Sequence, residues 1–157
     1  MGVSWLTLNA TSASFPGSVT VSGTGISMPT RPAFRVSGSS STNITTPTIL
    51  SGSKVGVDYN QGNNYNNTTG LFTAPVAGLY SVYLNARASS ISAAAQAIVY
   101  KNSTPVLMWE LAGIGGATHF GVSGIVNLVS NDTLKVTVTV GSIQFDGNDS
   151  WGAAYIG

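Results

Sequence analysis

Residues 64–84, NYNNTTGLFTAPVAGLYSVYL, constrain this chain more than any other stretch. A polar, Asn-rich loop leads to Gly70. A short strand follows over residues 71–74, then a tight corner marked by Pro75 and Gly78, and a second strand starts at once from Leu79. Asn and Gly tolerate positive φ and Pro presets its own, so each has a physical reason to sit in a turn. In the second strand Tyr80, Val82, Leu84 and Ala86 share one face, while Leu79, Ser81, Tyr83, Asn85 and Arg87 share the other. Both faces carry large groups. One is expected to meet the core and the other a neighbouring subunit.

The rest of the chain reads the same way. Residues 31–36 open the domain, and residues 49–50 and 54–59 add strand-like pieces with Val55 and Val57 on one face, opposite Lys54 and Asp58. Residues 92–101 have the alanine content of a helix, but Ile98-Val99-Tyr100 favours a strand, whose small alanines leave room for another chain to approach. Lys101-Asn102-Ser103 turns it back into residues 104–111, where Val106, Met108 and Glu110 oppose Leu107 and Trp109. After a Gly-rich loop, residues 118–129 offer Phe120, Val122, Val126 and Leu128 to the core, with Gly124 as a bulge. Residues 133–140 alternate cleanly, so that Leu134, Val136, Val138 and Val140 face inward. A polar loop over residues 141–150 precedes a closing strand at 151–156. Strands at even spacing with turns between them predict an all-β sandwich.

Charged residues are 7% of the chain, against about 25% in ordinary soluble domains. A surface of Ser, Thr, Asn and Ala can be buried against copies of itself without desolvating many charges. The deficit therefore points to oligomerisation; a monomer with a Ser/Thr/Asn surface is the alternative. Net charge is +1 with no basic patch, so the electrostatic footprint of nucleic-acid binding is missing. There is no cysteine, hence no thiolate chemistry. No apolar run is long enough for a membrane-spanning helix, and a signal peptide is not expected from the first residues. Residues 31–157 are read as one domain and residues 1–30 as a separate arm. The arm shows short alternating pieces with Trp5, Leu6, Leu8 and Phe15 as apolar anchors. Such pieces need a scaffold or copies of themselves; an unstructured leader is the other reading.

The central stretch carries Gly70, Phe72, Pro75, Gly78 and Tyr80 in the pattern G-x-F-x-x-P-x-x-G-x-Y, which resembles the signature of the C1q/TNF-like jelly roll. Pro32-Ala33-Phe34 resembles the first strand of C1q-like heads, and Asp146-Gly147-Asn148-Asp149 the loop before the family's last strand. The resemblance spans residues 31–157. It implies a jelly-roll sandwich assembling as a homotrimer. On the residues' own reading Leu79, Tyr83, Trp109 and Glu110 are the interface candidates, with Glu110 offered as the partner of an arginine such as Arg87 across a subunit boundary. The collagen-like repeat that precedes many secreted members is absent. Within the arm, SASFPGSVTVSGTG resembles stalk segments of phage tail fibres, where three chains wind together. The whole is similar to a virion structural protein of the cyanophage type.

Catalytic motifs are missing: there is no G-x-S-x-G elbow, P-loop or H-E-x-x-H. His119, the single histidine, is expected in the core or an interface, and nothing favours Ser123 or Asp132 as its partner. No cofactor is expected. Asp146, Asn148 and Asp149 offer the hard oxygens that calcium prefers, completed by three copies near a trimer axis; a solvated turn is the plainer reading. Loops 37–48, 60–69 and 112–118 are the recognition candidates, with Tyr59 and Tyr65 as stacking surfaces for a sugar ring and Asn63 and Asn64 beside them. The chain is thus read as a non-enzymatic trimeric virion protein, a short phage fibre whose head binds a host-surface glycan or protein and whose arm meets other virion proteins. The alternatives are a capsid decoration protein whose arm docks on the shell, and a cellular C1q-like binding module.

Overall fold

A computed structural model describes residues 31–39, 43–88, 94–112 and 119–157. The arm, with Trp5, Leu6, Leu8 and Phe15, lies outside the described residues. The strands are β1 (Ala33–Gly38), β2 (Asn43–Thr45), β3 (Thr48–Ile49), β4 (Val55–Gln61), β5 (Tyr65–Asn66), β6 (Leu71–Thr73), β7 (Gly78–Ala88), β8 (Ala95–Lys101), β9 (Thr104–Leu111), β10 (His119–Leu128), β11 (Thr133–Val140), β12 (Ser142–Gln144) and β13 (Ser150–Tyr155). One sheet runs β10–β7–β13–β1–β4, with β12 and then β2 beside the end of β7. The other runs β5–β6–β11–β8–β9, with β3 also on β11. All pairings are antiparallel. The all-β jelly-roll sandwich expected from the sequence is the observed fold.

The signature residues hold the two sheets together. Phe72 and Tyr80 are fully buried with ring centroids 5.8 Å apart. Phe34 stacks on Phe72 at 5.0 Å and meets Trp151 edge-on at 4.7 Å. The Tyr80 hydroxyl donates to the Val76 carbonyl at 2.8 Å, fastening the corner to the strand it launches. Gly70 has φ +72°, and a Cβ there would come 2.6 Å from the Leu50 carbonyl oxygen. Gly78 has φ +149°, with a Cβ position 2.5 Å from both the Gly157 carbonyl oxygen and the Tyr155 ring. Only glycine meets both demands at either site.

Where side chains depart from the simple alternation, the ladders show why. Val55 and Val57 share one side of β4, opposite Gly38 and Val36; Val55 is buried, while Val57 is 43% exposed on a strand that ends its sheet. A register shift between Val138 and Val140 in the β11–β8 pairing exposes Val140. The β10–β7 ladder is unbroken from His119 to Leu128, so Gly124 makes no bulge. A Cβ there would come 2.7 Å from Leu107 Cδ2, and the glycine gives that leucine its space. Phe120 is exposed and Val122 half-buried, because β10 is an edge strand and the opposite sheet covers little of its inner side. Ala95 and Ala97 are buried in this chain's own core, where Ala97 stands opposite Trp109. Ile44 and Ile143, within stretches read as loops, are buried in the short strands β2 and β12.

Asp132 joins two turns at one end of the sandwich. Its carboxylate accepts hydrogen bonds from Asn102 Nδ2 at 2.8 Å and the Val129 amide at 2.8 Å, and pairs with Lys101 Nζ at 2.9 Å. Lys101 and these hydrogen bonds hold the carboxyl down at about 2.

Candidate functional site

The outward face of the β10–β7–β13–β1–β4 sheet is unlike an ordinary solvent face. The registers place Ala33, Ala154, Ser81 and Ile125 in one row across it. The next row is Tyr59, Arg35, Gly152, Tyr83 and Ser123, and the third Ser37, Ser150, Asn85 and Gly121. Small side chains dominate, and Arg35 is the one charge in these rows. It pairs with Asp58 at 3.1 Å, which also accepts from the Ser37 hydroxyl at 2.8 Å. Tyr83 lies over Gly152, whose Cβ position is 3.0 Å from the phenol oxygen. Burial raises the Tyr83 hydroxyl above its ordinary pKa. At one margin of this face Leu79 and Ile125 are 44% and 65% exposed. The face is almost neutral and apolar at one margin.

The adjoining edge has matching character. β9 and β10 end their respective sheets and lie together, because Trp109 Nε1 donates to the Phe120 carbonyl at 2.9 Å. Met108 and Phe120 project there, 53% and 41% exposed. Of the interface candidates, Leu79 and half-buried Tyr83 therefore stand on the outward face. Trp109 does not: it is buried within its own chain, where its indole ties the two edge strands together. Glu110 is exposed on the edge strand and accepts from Gln96 Nε2 at 3.3 Å. Arg87 is committed to Asp146 in the same chain, which corrects its expected pairing with Glu110.

At the end of the sandwich opposite Pro32, Arg87, Asp146, Asp149 and His119 form a second cluster. Asp146 Oδ1 accepts from the Asn148 amide at 3.0 Å, and that bond, with Arg87, keeps its carboxyl below the usual range. Asp149 is fully buried; Oδ2 accepts from the Asp146 amide at 2.9 Å, and burial raises its pKa. His119 is neither core nor enclosed. Its side chain is 55% exposed, with Nδ1 3.4 Å from Asp149 Oδ1. Asp132 is at the other end, held by Lys101. The oxygens of Asp146 and Asp149 are mostly spent on the loop's own backbone and on Arg87. Among the described residues no group of three His, Cys, Asp or Glu side chains is placed to hold a metal.

The recognition candidates divide between the two ends. Gln61 stands opposite Ala33, so Asn63 and Asn64 occupy the end where the chain enters from residue 31. Gly38, Leu111 and His119, which flank the other two loops, lie at the far end. Residues 40–42 and 113–118 are outside the described residues. Tyr59 is 48% exposed and Asn63 is exposed with φ 56°; half-buried Asn64 reaches back to the Gln61 carbonyl at 3.5 Å. Tyr65 is no stacking surface. It is 4% exposed, stacked on Phe34 at 4.6 Å, and its hydroxyl is pushed up to about 12 by burial. Asn60 clamps its amide and carbonyl from the side chain, at 3.0 and 2.8 Å. What the sequence reading missed is the plane of Ser81, Gly152, Ala154 and Ser123. Its signal is small residues at alternate positions, which becomes a surface only once the pairing partners are known.

These features define a C1q/TNF-like sandwich. The C1q domain model matches residues 33–150, and the chain belongs to the C1q domain family. Its fold is similar to a TNF of S. frugiperda, Eiger, with TM-score 0.64 and 13% identity over 81% of this chain and 94% of that one. It is similar to the globular domain of zebrafish complement 1qA, with TM-score 0.63 and 14% identity over 80% and 97%. Murine APRIL gives TM-score 0.62 and 9% identity over 80% and 99%. No curated protein sequence matches the chain.

Proposed function

We propose that this chain is the head of a short, non-enzymatic phage surface fibre, located on the virion, that forms a homotrimer and binds the host surface. The observation that carries the trimer is the small-residue, nearly uncharged outward sheet face beside an edge with exposed Met108 and Phe120. Face against edge is a heterologous contact, and such contacts form a ring when the rotation closes. Burying this face desolvates one ion pair, Arg35–Asp58.

Residues 1–30 carry no charged side chain, and the run SASFPGSVTVSGTG within them resembles fibre-stalk segments, which supports mounting through that end. Host contact then falls to the opposite end, around His119 and residues 146–149. Gold-labelled antibody on intact particles tests the mounting. Label on tail or projecting fibres, together with competition of excess free head against particle adsorption, is the expected result. Label spread evenly over the capsid without competition would replace the proposal with a decoration role, and no label on particles would reject a virion protein altogether.

A further inference from the structure

We infer that His119 is a pH-sensitive latch: on taking a proton it closes on the buried, unpaired Oδ1 of Asp149 and clamps the start of edge strand β10 to the loop over residues 146–149. Asp149 is fully buried. Its Oδ2 accepts from the Asp146 amide at 2.9 Å, but Oδ1 accepts no hydrogen bond. His119 Nδ1 stands 3.4 Å from that oxygen, beyond the roughly 2.7–2.9 Å of a charge-assisted bond. The histidine side chain is 55% exposed, so it has room to swing across the remaining gap and exchanges protons with solvent directly.

Charge balance gives the direction. The charged groups gathered here are Arg87 from β7, opposite His119 in the β7–β10 ladder, and Asp146 and Asp149 from the loop. The other neighbouring strands add none. β12 brings Gln144 opposite Arg87, β1 ends at Gly38, whose amide donates to the Asp146 carbonyl, and on β9 Glu110 is engaged by Gln96. One cation thus faces two carboxylates, and a neutral His119 leaves the cluster with one negative charge in excess. Arg87 is committed to Asp146, so Asp149 is the carboxylate that lacks a donor; burial and the Asp146 charge push its carboxyl up. A buried acceptor without a donor is costly, and the latch removes that cost reversibly. Histidine ordinarily changes charge between pH 5 and pH 8. Because proton uptake creates the pair, its contribution is present on the acid side of that range and is lost as pH rises through it. The latch stands on this geometry alone; its use, firming the far end for host contact, rests on the function proposed above.

Hydrogen exchange on the full chain at pH 6 and pH 8.5 tests it, with each rate divided by that of an unstructured peptide at the same pH. The amides of residues 119–121 and 146–149 are expected to be roughly threefold or more better protected at pH 6, the fold-change of an ion pair with one exposed partner. His119→Gln, a change at an exposed side chain, should abolish that difference while the amides of Thr133–Val140 stay protected at both pH values. Asp149→Asn should abolish it as well. Equal protection of the wild type at the two pH values would overturn the inference, as would a difference that survives either substitution. Because exchange is read on the free chain, a failed latch leaves the adsorption competition untouched, and a failed competition leaves the latch standing.

Discussion

Asp132→Asn tests how the base of the sandwich is held. The wild-type carboxylate receives Lys101 Nζ, Asn102 Nδ2 and the Val129 amide within 2.9 Å, and its side chain is 10% exposed. Its pKa is held at about 2 against an ordinary 3.8. That depression corresponds to about 2 kcal/mol of folding free energy at neutral pH. Because the folded pKa lies below the unfolded one, this contribution is complete above about pH 5. It is lost as pH falls through the interval between the two values and is gone once pH is below about 2. The introduced carboxamide would also turn a donor toward groups that are themselves donors, so a loss of about 2–3 kcal/mol is expected at pH 7. The assay is urea unfolding followed by tryptophan fluorescence at matched protein concentration, since an oligomer's stability depends on concentration. The gap between wild type and variant should narrow between pH 5 and pH 2. A variant as stable as wild type at pH 7, or a gap that widens on acidification, would refute the reasoning.

Other substitutions probe other joints. Gly78→Ala puts a Cβ against the Gly157 carbonyl and the Tyr155 ring at a φ that alanine avoids, and should cost about 2 kcal/mol or more, read from the urea midpoint. Tyr80→Phe removes the hydroxyl bond to the Val76 carbonyl and should cost about 1 kcal/mol with the far-UV spectrum unchanged. Trp109→Phe frees the Phe120 carbonyl and should raise hydrogen exchange at the β9–β10 edge more than in β7.

Much of the fold was legible because the residues that bend the chain are also the residues that pack it. Gly70, Phe72, Pro75, Gly78 and Tyr80 sit at fixed spacing, and each has one physical job at the corner between the sheets. The inward face of β7 and most of β11 followed from period-2 alternation. What alternation cannot show is a register shift, and this is why Val140 was placed on the wrong side. Nor does it show which strands are edges or what lies against them: Phe120 is exposed on edge strand β10, while Trp109 on edge strand β9 is enclosed. Tyr65 looked like a solvent ring because its neighbours are asparagines; one of them, Asn60, spends its side chain holding Tyr65 in the core. The candidate loops looked equivalent in sequence, but antiparallel pairing sends Asn63 and Asn64 to one end and His119 to the other.

The central claim is that copies of this chain join through the outward sheet face. Sedimentation equilibrium of the full chain and of Ser81→Lys measures it most directly. Ser81 is exposed in the middle of the small-residue plane, so lysine there should leave the subunit folded and place a charge at the contact. The account predicts about 48 kDa for the wild type, three copies of 16.0 kDa, and a folded species near one copy for the variant. A wild-type mass of one copy at micromolar concentration, or a variant that remains fully trimeric, would contradict it.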